Sequence, residues 1–225
     1  MDSGRAGSLS RADYFKNFDA DSVLSPCFVV DEVAIEDNLK ILKHVAERSS
    51  AKVLLALKAF SMFSLAPLVS SYLSGTCASG LYEARLGREK FGGEVHTFCA
   101  AFADQDIDDI LNLSDHLVFN SHFQWQHFKH KALASAAHKP GQKFGLRINP
   151  QHSEGARPIY DPCARGSRLG IPIDEFSEAD LGGISGIHFH TLCEQDLPPL
   201  QRTLDVIEEK LGWLLPRLEW VNFGG

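Results

Sequence analysis

The 225 residues, 44% hydrophobic and 23% charged, have the make-up of a globular protein long enough for one large core, which excludes disordered and collagen-like chains. A net charge of -7 with scattered basic residues excludes a surface built to neutralise nucleic-acid phosphates. No stretch approaches the roughly 18 consecutive apolar residues of a membrane helix, and residues 1–21 lack the apolar run of a secretory signal, so a cytosolic protein with no membrane partner is expected.

Cys27, Cys77, Cys99, Cys163 and Cys193 are odd in number, widely spaced and contain no CxxC pair, which argues against a disulfide framework and against a zinc ribbon. Along the chain, short apolar runs alternate with longer amphipathic segments, the pattern of strands joined by helices in a parallel sheet. Pro26 to Asp31 reads as a strand and Glu32 to Glu47 as a helix with Val33, Leu39, Leu42, Val45 and Ala46 near one face. Lys52 to Lys58 is a near-continuous apolar run of the kind buried on both faces, ended by a single charge. A helix over 64–73, a strand around 76–78 and a helix over 81–90 follow.

The next strands are expected at 95–99 and 116–120, each followed by a helix, over 104–113 and 121–137. After a turn at 139–142 comes a strand over 143–148, and then a long stretch, 149–166, that contains proline and has no periodicity; a loop of that length inside a compact domain is usually functional. A strand at 184–190, a helix at 197–211 interrupted early by Pro198 and Pro199, and a strand at 218–223 that runs into Gly224 and Gly225 complete the series. Seven strand–helix steps from Lys52 onward, against the ~250 residues typical of a closed eight-stranded barrel, predict a barrel about one strand short and a chain that is a fragment.

Four features could carry chemistry. Lys58 stands at the C-terminal end of an apolar strand, where barrels place catalytic groups. Held among Leu54, Ala56 and Phe60, its amine would lose solvation and become the neutral nucleophile of Schiff-base chemistry; the plainer reading is a lysine that ends a strand in solvent. His188 and His190, two apart on a strand, share one face and could bind metal, stack on a flat cofactor or be hydrogen-bonded core. Gly224 and Gly225 could bring backbone N–H groups to a phosphate, and Arg147 near a strand end fits an anion site or an interface salt bridge. Ser79 reads as the N-cap of the helix that carries Glu83.

The stretches SPCFVVDE, LLALKAF, CASGLYEARLG, FGLRINP, YDPCARGSRLGI, GIHFHTLCEQ and WVNFGG, in this order from Ser25 to Gly225, resemble the fold-type III pyridoxal-phosphate decarboxylases. Within that group the match is to the carboxynorspermidine/carboxyspermidine decarboxylase family. The resemblance implies an α/β chain with an alanine-racemase-like (β/α)8 TIM-type barrel, incomplete at about seven strands, whose C-terminal β domain is absent. It divides the chain into a polar segment (1–24), a strand and helix leading into the barrel (25–50), and a pyridoxal 5'-phosphate-binding barrel (51–225). It also implies that Lys58 carries the cofactor and that His190 stacks on its ring, with His188 beside it. Gly224 and Gly225 would begin the phosphate loop, and Cys193 stands where related decarboxylases have a phosphate-contacting serine. Glu83 lies one residue from the place of a family glutamate.

The implied reaction is loss of carbon dioxide from carboxynorspermidine or carboxyspermidine, giving norspermidine or spermidine, in an enzyme that is a homodimer at full length. The acid that protonates the cofactor ring and the β domain would lie outside these 225 residues, so the chain alone is expected to be inactive. A metal-dependent barrel hydrolase using His188 and His190 would need further ligands at the same rim, whereas His96 and His116 begin their strands at the opposite one. A noncatalytic cofactor-binding barrel is the third reading.

Overall fold

The computed structural model of the protein describes residues 15–155, 157–178, 181–193 and 195–224. Helix α1 (Glu32–Ser49) begins where the Asp31 carboxylate accepts the N–H groups of Val33 and Ala34 at 2.9 and 3.1 Å. Eight strands follow: β1 (Leu54–Ala56), β2 (Gly75–Ala78), β3 (Glu94–Phe98), β4 (His116–Phe119), β5 (Lys143–Asn149), β6 (Ile171–Pro172), β7 (Gly186–His188) and β8 (Trp220–Asn222). The helices between them are α2 (Ala66–Ser70), α3 (Leu81–Leu86), α4 (Ile107–Leu113), α5 (His122–His138) and α6 (Leu197–Leu211).

Every strand pairing is parallel, and seven strands lie side by side in the order β1-β2-β3-β4-β5-β7-β8. The short β6 pairs with the last two residues of β5, Ile148 and Asn149, so the loop after β5 returns to the strand that launched it. Asn120 pins that return: its side chain donates to Arg168 O and accepts from Gly170 N–H, both at 2.8 Å.

Strand alternation divides the residues into two faces. Leu117, Phe119, Phe144 and Leu146 turn outward and pack on Ile107, Ile110 and Leu111 of α4 and on Trp125, Phe128 and Ala132 of α5. Ile187 and Phe189 turn the same way, onto Ile207 and Leu211 of α6, and Leu57 packs on Ala66 and Val69 of α2 and Leu39 of α1. Burying each such large side chain stabilises the fold by about 1.5–3 kcal/mol. The residues between them, among them Cys77, His96, Phe98, His116, Arg147, His188 and Asn222, share the opposite, inner face.

Several expectations change. Residues 26–31 form no strand, because no other described strand offers them a ladder. In α1 only Leu39 is buried, while Val33, Leu42 and Val45 are exposed. The run 52–58 forms only the three-residue β1, half-buried rather than closed off on both faces. Helix α6 is unbroken, since Pro198 and Pro199 fall in its first turn, where no N–H is needed. The helix carrying Glu83 has Gly80, not Ser79, as its N-cap, and the Glu83 carboxylate reaches back to accept Ser79 N–H at 2.7 Å.

Candidate active site

Parallel strands deliver their C-terminal ends to one rim, and the inner-face residues there come from different strands. Arg147 of β5 is in register with His188 of β7, which is in register with Asn222 of β8. Arg147 is 5% exposed, and its guanidinium lies 4.6 Å from the centre of the Phe98 ring of β3. The His188 ring, 8% exposed, meets the same phenylalanine edge-on at 5.3 Å. Arg147 Nε and His188 Nδ1 are both buried without a hydrogen-bond partner, and among the described residues no carboxylate pairs with Arg147.

His190 follows two residues after His188 and is half-buried. Burial, then the positive charges of Lys58 and Arg147, lower its pKa to about 4. Burial first, then the positive charge of Arg147, with smaller effects from His190, Lys58 and His96, holds His188 well below the usual histidine range. Both imidazoles are therefore neutral at pH 7, without a proton that would repel a cationic neighbour. Burial lowers the Arg147 pKa to about 10 and raises the thiols of Cys77 and Cys163 to about 11.

Lys58 lies in the turn directly after β1, where Ala59 and Phe60 N–H groups both donate to Ala56 O. It is exposed rather than enclosed among Leu54, Ala56 and Phe60, which corrects the expectation of a desolvated amine: β1 ends before Lys58, and the apolar Leu57 takes the buried side of the turn. Its charge nonetheless reaches Cys77, His188 and His190.

Gly224 closes the group. It adopts φ +72°, and a Cβ there would meet His190 Nδ1 and Phe189 O at 2.6 Å, so only glycine fits against the histidine. Its N–H donates to Asn222 Oδ1 at 2.8 Å. Gly225 lies outside the described residues. Cys193 is exposed on the loop after β7 and does not join the buried cluster. Sequence reasoning missed Phe98, which both Arg147 and His188 touch, although its two-residue spacing from His96 already marks it as inward-facing. It also missed Thr191, whose buried Oγ1 has no partner.

Among the described residues His188 and His190 belong to no group of three metal-ligating side chains, so the hydrolase reading lacks its ligand set.

This parallel barrel sheet, wrapped by helices and carrying an inward cationic and imidazole cluster at one rim, has the fold of the fold-type III decarboxylases. Diaminopimelate decarboxylase from Helicobacter pylori shares that fold at TM-score 0.62 and 18% identity, over 84% of this chain and 53% of that one. The chain is a relative, more particularly, of the carboxynorspermidine/carboxyspermidine decarboxylases. It is 39% identical to the enzyme of that name from Campylobacter jejuni over 205 residues, 91% of this chain and 52% of the relative. The crystal structure of carboxynorspermidine decarboxylase from C. jejuni complexed with norspermidine matches at TM-score 0.80 and 38% identity, over 90% of this chain and 51% of that one. Carboxyaminopropylagmatine decarboxylase from Synechocystis sp. is 40% identical over 204 residues, 91% of this chain and 51% of the relative. The chain thus spans about half the length of the curated relatives it matches. No protein-family model matches it.

Proposed function

We propose that this chain forms the cofactor-binding barrel of a cytoplasmic, homodimeric, pyridoxal 5'-phosphate-dependent carboxy-lyase of polyamine synthesis. The substrate is carboxynorspermidine or carboxyspermidine, and the products are norspermidine or spermidine and carbon dioxide. The observation that carries the reading is the buried, unpaired pair of Arg147 Nε and His188 Nδ1 beside His190 and the Gly224 cradle, within reach of the Lys58 charge. A buried guanidinium with no carboxylate is unfavourable unless an anion meets it, and pyridoxal 5'-phosphate is an anionic, flat, carbonyl-bearing group.

The residues fit that group. Lys58, solvent-accessible at the rim, would hold it covalently through its amine. Neutral His190 would lie on its ring, with Gly224 keeping the histidine in place. Arg147, fixed by Phe98, would meet an anionic oxygen. Gly224 and Gly225 would face the phosphate, although the Gly224 N–H is already given to Asn222 Oδ1. Cys193 would reach the phosphate only if its exposed loop turned inward. When bound, the cofactor supplies an electron sink for the pair left as carbon dioxide departs.

The test is titration of the chain with pyridoxal 5'-phosphate, followed by borohydride reduction and peptide mapping. The expected result is a saturable visible absorbance and a reduced adduct on Lys58, both lost in Lys58→Ala; an adduct spread over surface lysines would overturn the assignment. The chain by itself is expected to load at Lys58 but to release no carbon dioxide from carboxynorspermidine. Turnover by residues 1–225 alone would contradict that expectation.

A further inference from the structure

The inner face carries a second polar cluster, at the end of the barrel opposite Lys58 and His190. Glu94 and His96 alternate on β3 and so project to the same side, and His96 is in register with His116, the first residue of β4. One ligand atom from each of Glu94, His96 and His116 lies within 4.8 Å of the other two, and these three form the one such group among the described residues. The two imidazole rings stack with centres 3.9 Å apart, and the Trp220 indole closes the far side of His116 edge-on at 5.1 Å. His96 Nε2 is 3.0 Å from Glu94 Oε2, and Lys52 donates to the other oxygen of that carboxylate.

His116 supplies the independent observation. It is 9% exposed, and its Nδ1 is buried with no hydrogen-bond partner. Burying a ring nitrogen without a partner is unfavourable, and a bound ion or its water would supply one. We propose that Glu94, His96 and His116 bind a divalent transition-metal ion of the zinc type at the N-terminal rim, clamping β3 to β4 rather than taking part in catalysis. Two imidazoles and a carboxylate select such an ion over magnesium or calcium, which prefer all-oxygen sites.

Zinc–nitrogen bonds of about 2.0–2.1 Å in tetrahedral geometry put ligand atoms about 3.4 Å apart. The Glu94 and His96 atoms, 3.0 Å apart, already stand near that spacing, so binding needs the stacked rings to splay and Glu94 to exchange the His96 N–H for the ion.

The test uses the whole chain, freed of metal with a chelator and titrated with Co2+ and then Zn2+. The expected result is one Co2+ per chain with the visible spectrum of a low-coordinate N/O site, displacement by Zn2+, and a higher unfolding midpoint with the metal present. His96→Gln and His116→Gln should each weaken binding by at least about tenfold. His190→Asn, at the other rim, should leave it unchanged. Should His116→Gln fail to fold, His96→Gln, half-buried at the same cluster, carries the test. Absence of stoichiometric binding, full affinity in His96→Gln, or loss of binding in His190→Asn would each overturn the proposal.

Discussion

At the scale of single residues, the rim cluster combines groups that are costly unless something meets them. Arg147 is enclosed, stacked on Phe98 and, among the described residues, without a carboxylate. Arg147→Met should therefore leave the cofactor-free chain as stable or more stable in denaturant titration, while weakening pyridoxal 5'-phosphate binding by about ten- to a hundredfold. A purely structural arginine would instead lose stability and spare binding. Gly224→Ala places a methyl against His190 and Phe189 O at a left-handed backbone position, so a loss of about 1–3 kcal/mol is expected by thermal unfolding, together with weaker cofactor binding. Lys58 itself was readable from its place after an apolar run. Its solvent exposure was not, because that depends on where β1 ends and on which neighbours reach over it.

At the scale of elements, strand positions were legible because parallel strands are apolar runs set between helices, and most boundaries moved by only one or two residues. The shift at α1 has a different origin. Its apolar residues follow helical spacing, yet Val33, Ile41 and Val45 stay exposed because only Leu39 and Ile35 meet α2 and β1. The inner face also holds a steric lock that no local pattern reveals. The Trp220 ring of β8 occupies the space above Gly145 and Gly186, leaving no room for a Cβ at either. Gly186→Ala should destabilise the chain by about 1–3 kcal/mol, and Trp220→Ala in the same chain should recover part of that loss. Additive effects in the double-mutant cycle would argue against the lock. On the outer face, Trp125→Ala should cost about 3–5 kcal/mol, since the ring is fully enclosed by Phe119, Phe144 and their neighbours.

At the scale of the whole molecule, two consequences follow from the open series of strands and from the buried imidazoles. The outer edges of β1 and β8 have no strand partner among the described residues, and exposed α1 residues add apolar surface nearby in sequence. Concentration-dependent self-association is expected by light scattering; a monodisperse monomer across the range would count against it. His188 and His190 are depressed in the folded state, so the unfolded chain binds protons more readily below its own histidine pKa of about 6.5. Their contribution to stability is complete above that pH and is lost as the pH falls toward 4. His190→Asn should shrink the stability lost between pH 6.5 and 4, measured by urea unfolding at each pH.

The sequence by itself determined the alternation of strands and helices, the parallel sheet, and the placing of Lys58, Arg147, His188 and His190 near strand ends, because periodicity and hydrophobicity are local properties. Only the tertiary structure decided that Arg147 and His188 share Phe98, that Gly224 must be bare beside His190, and that His96 and His116 stack beside Glu94 at the far rim. Those relations depend on the register between strands far apart in the chain, which is set by how the sheet packs against its helices rather than by any single segment.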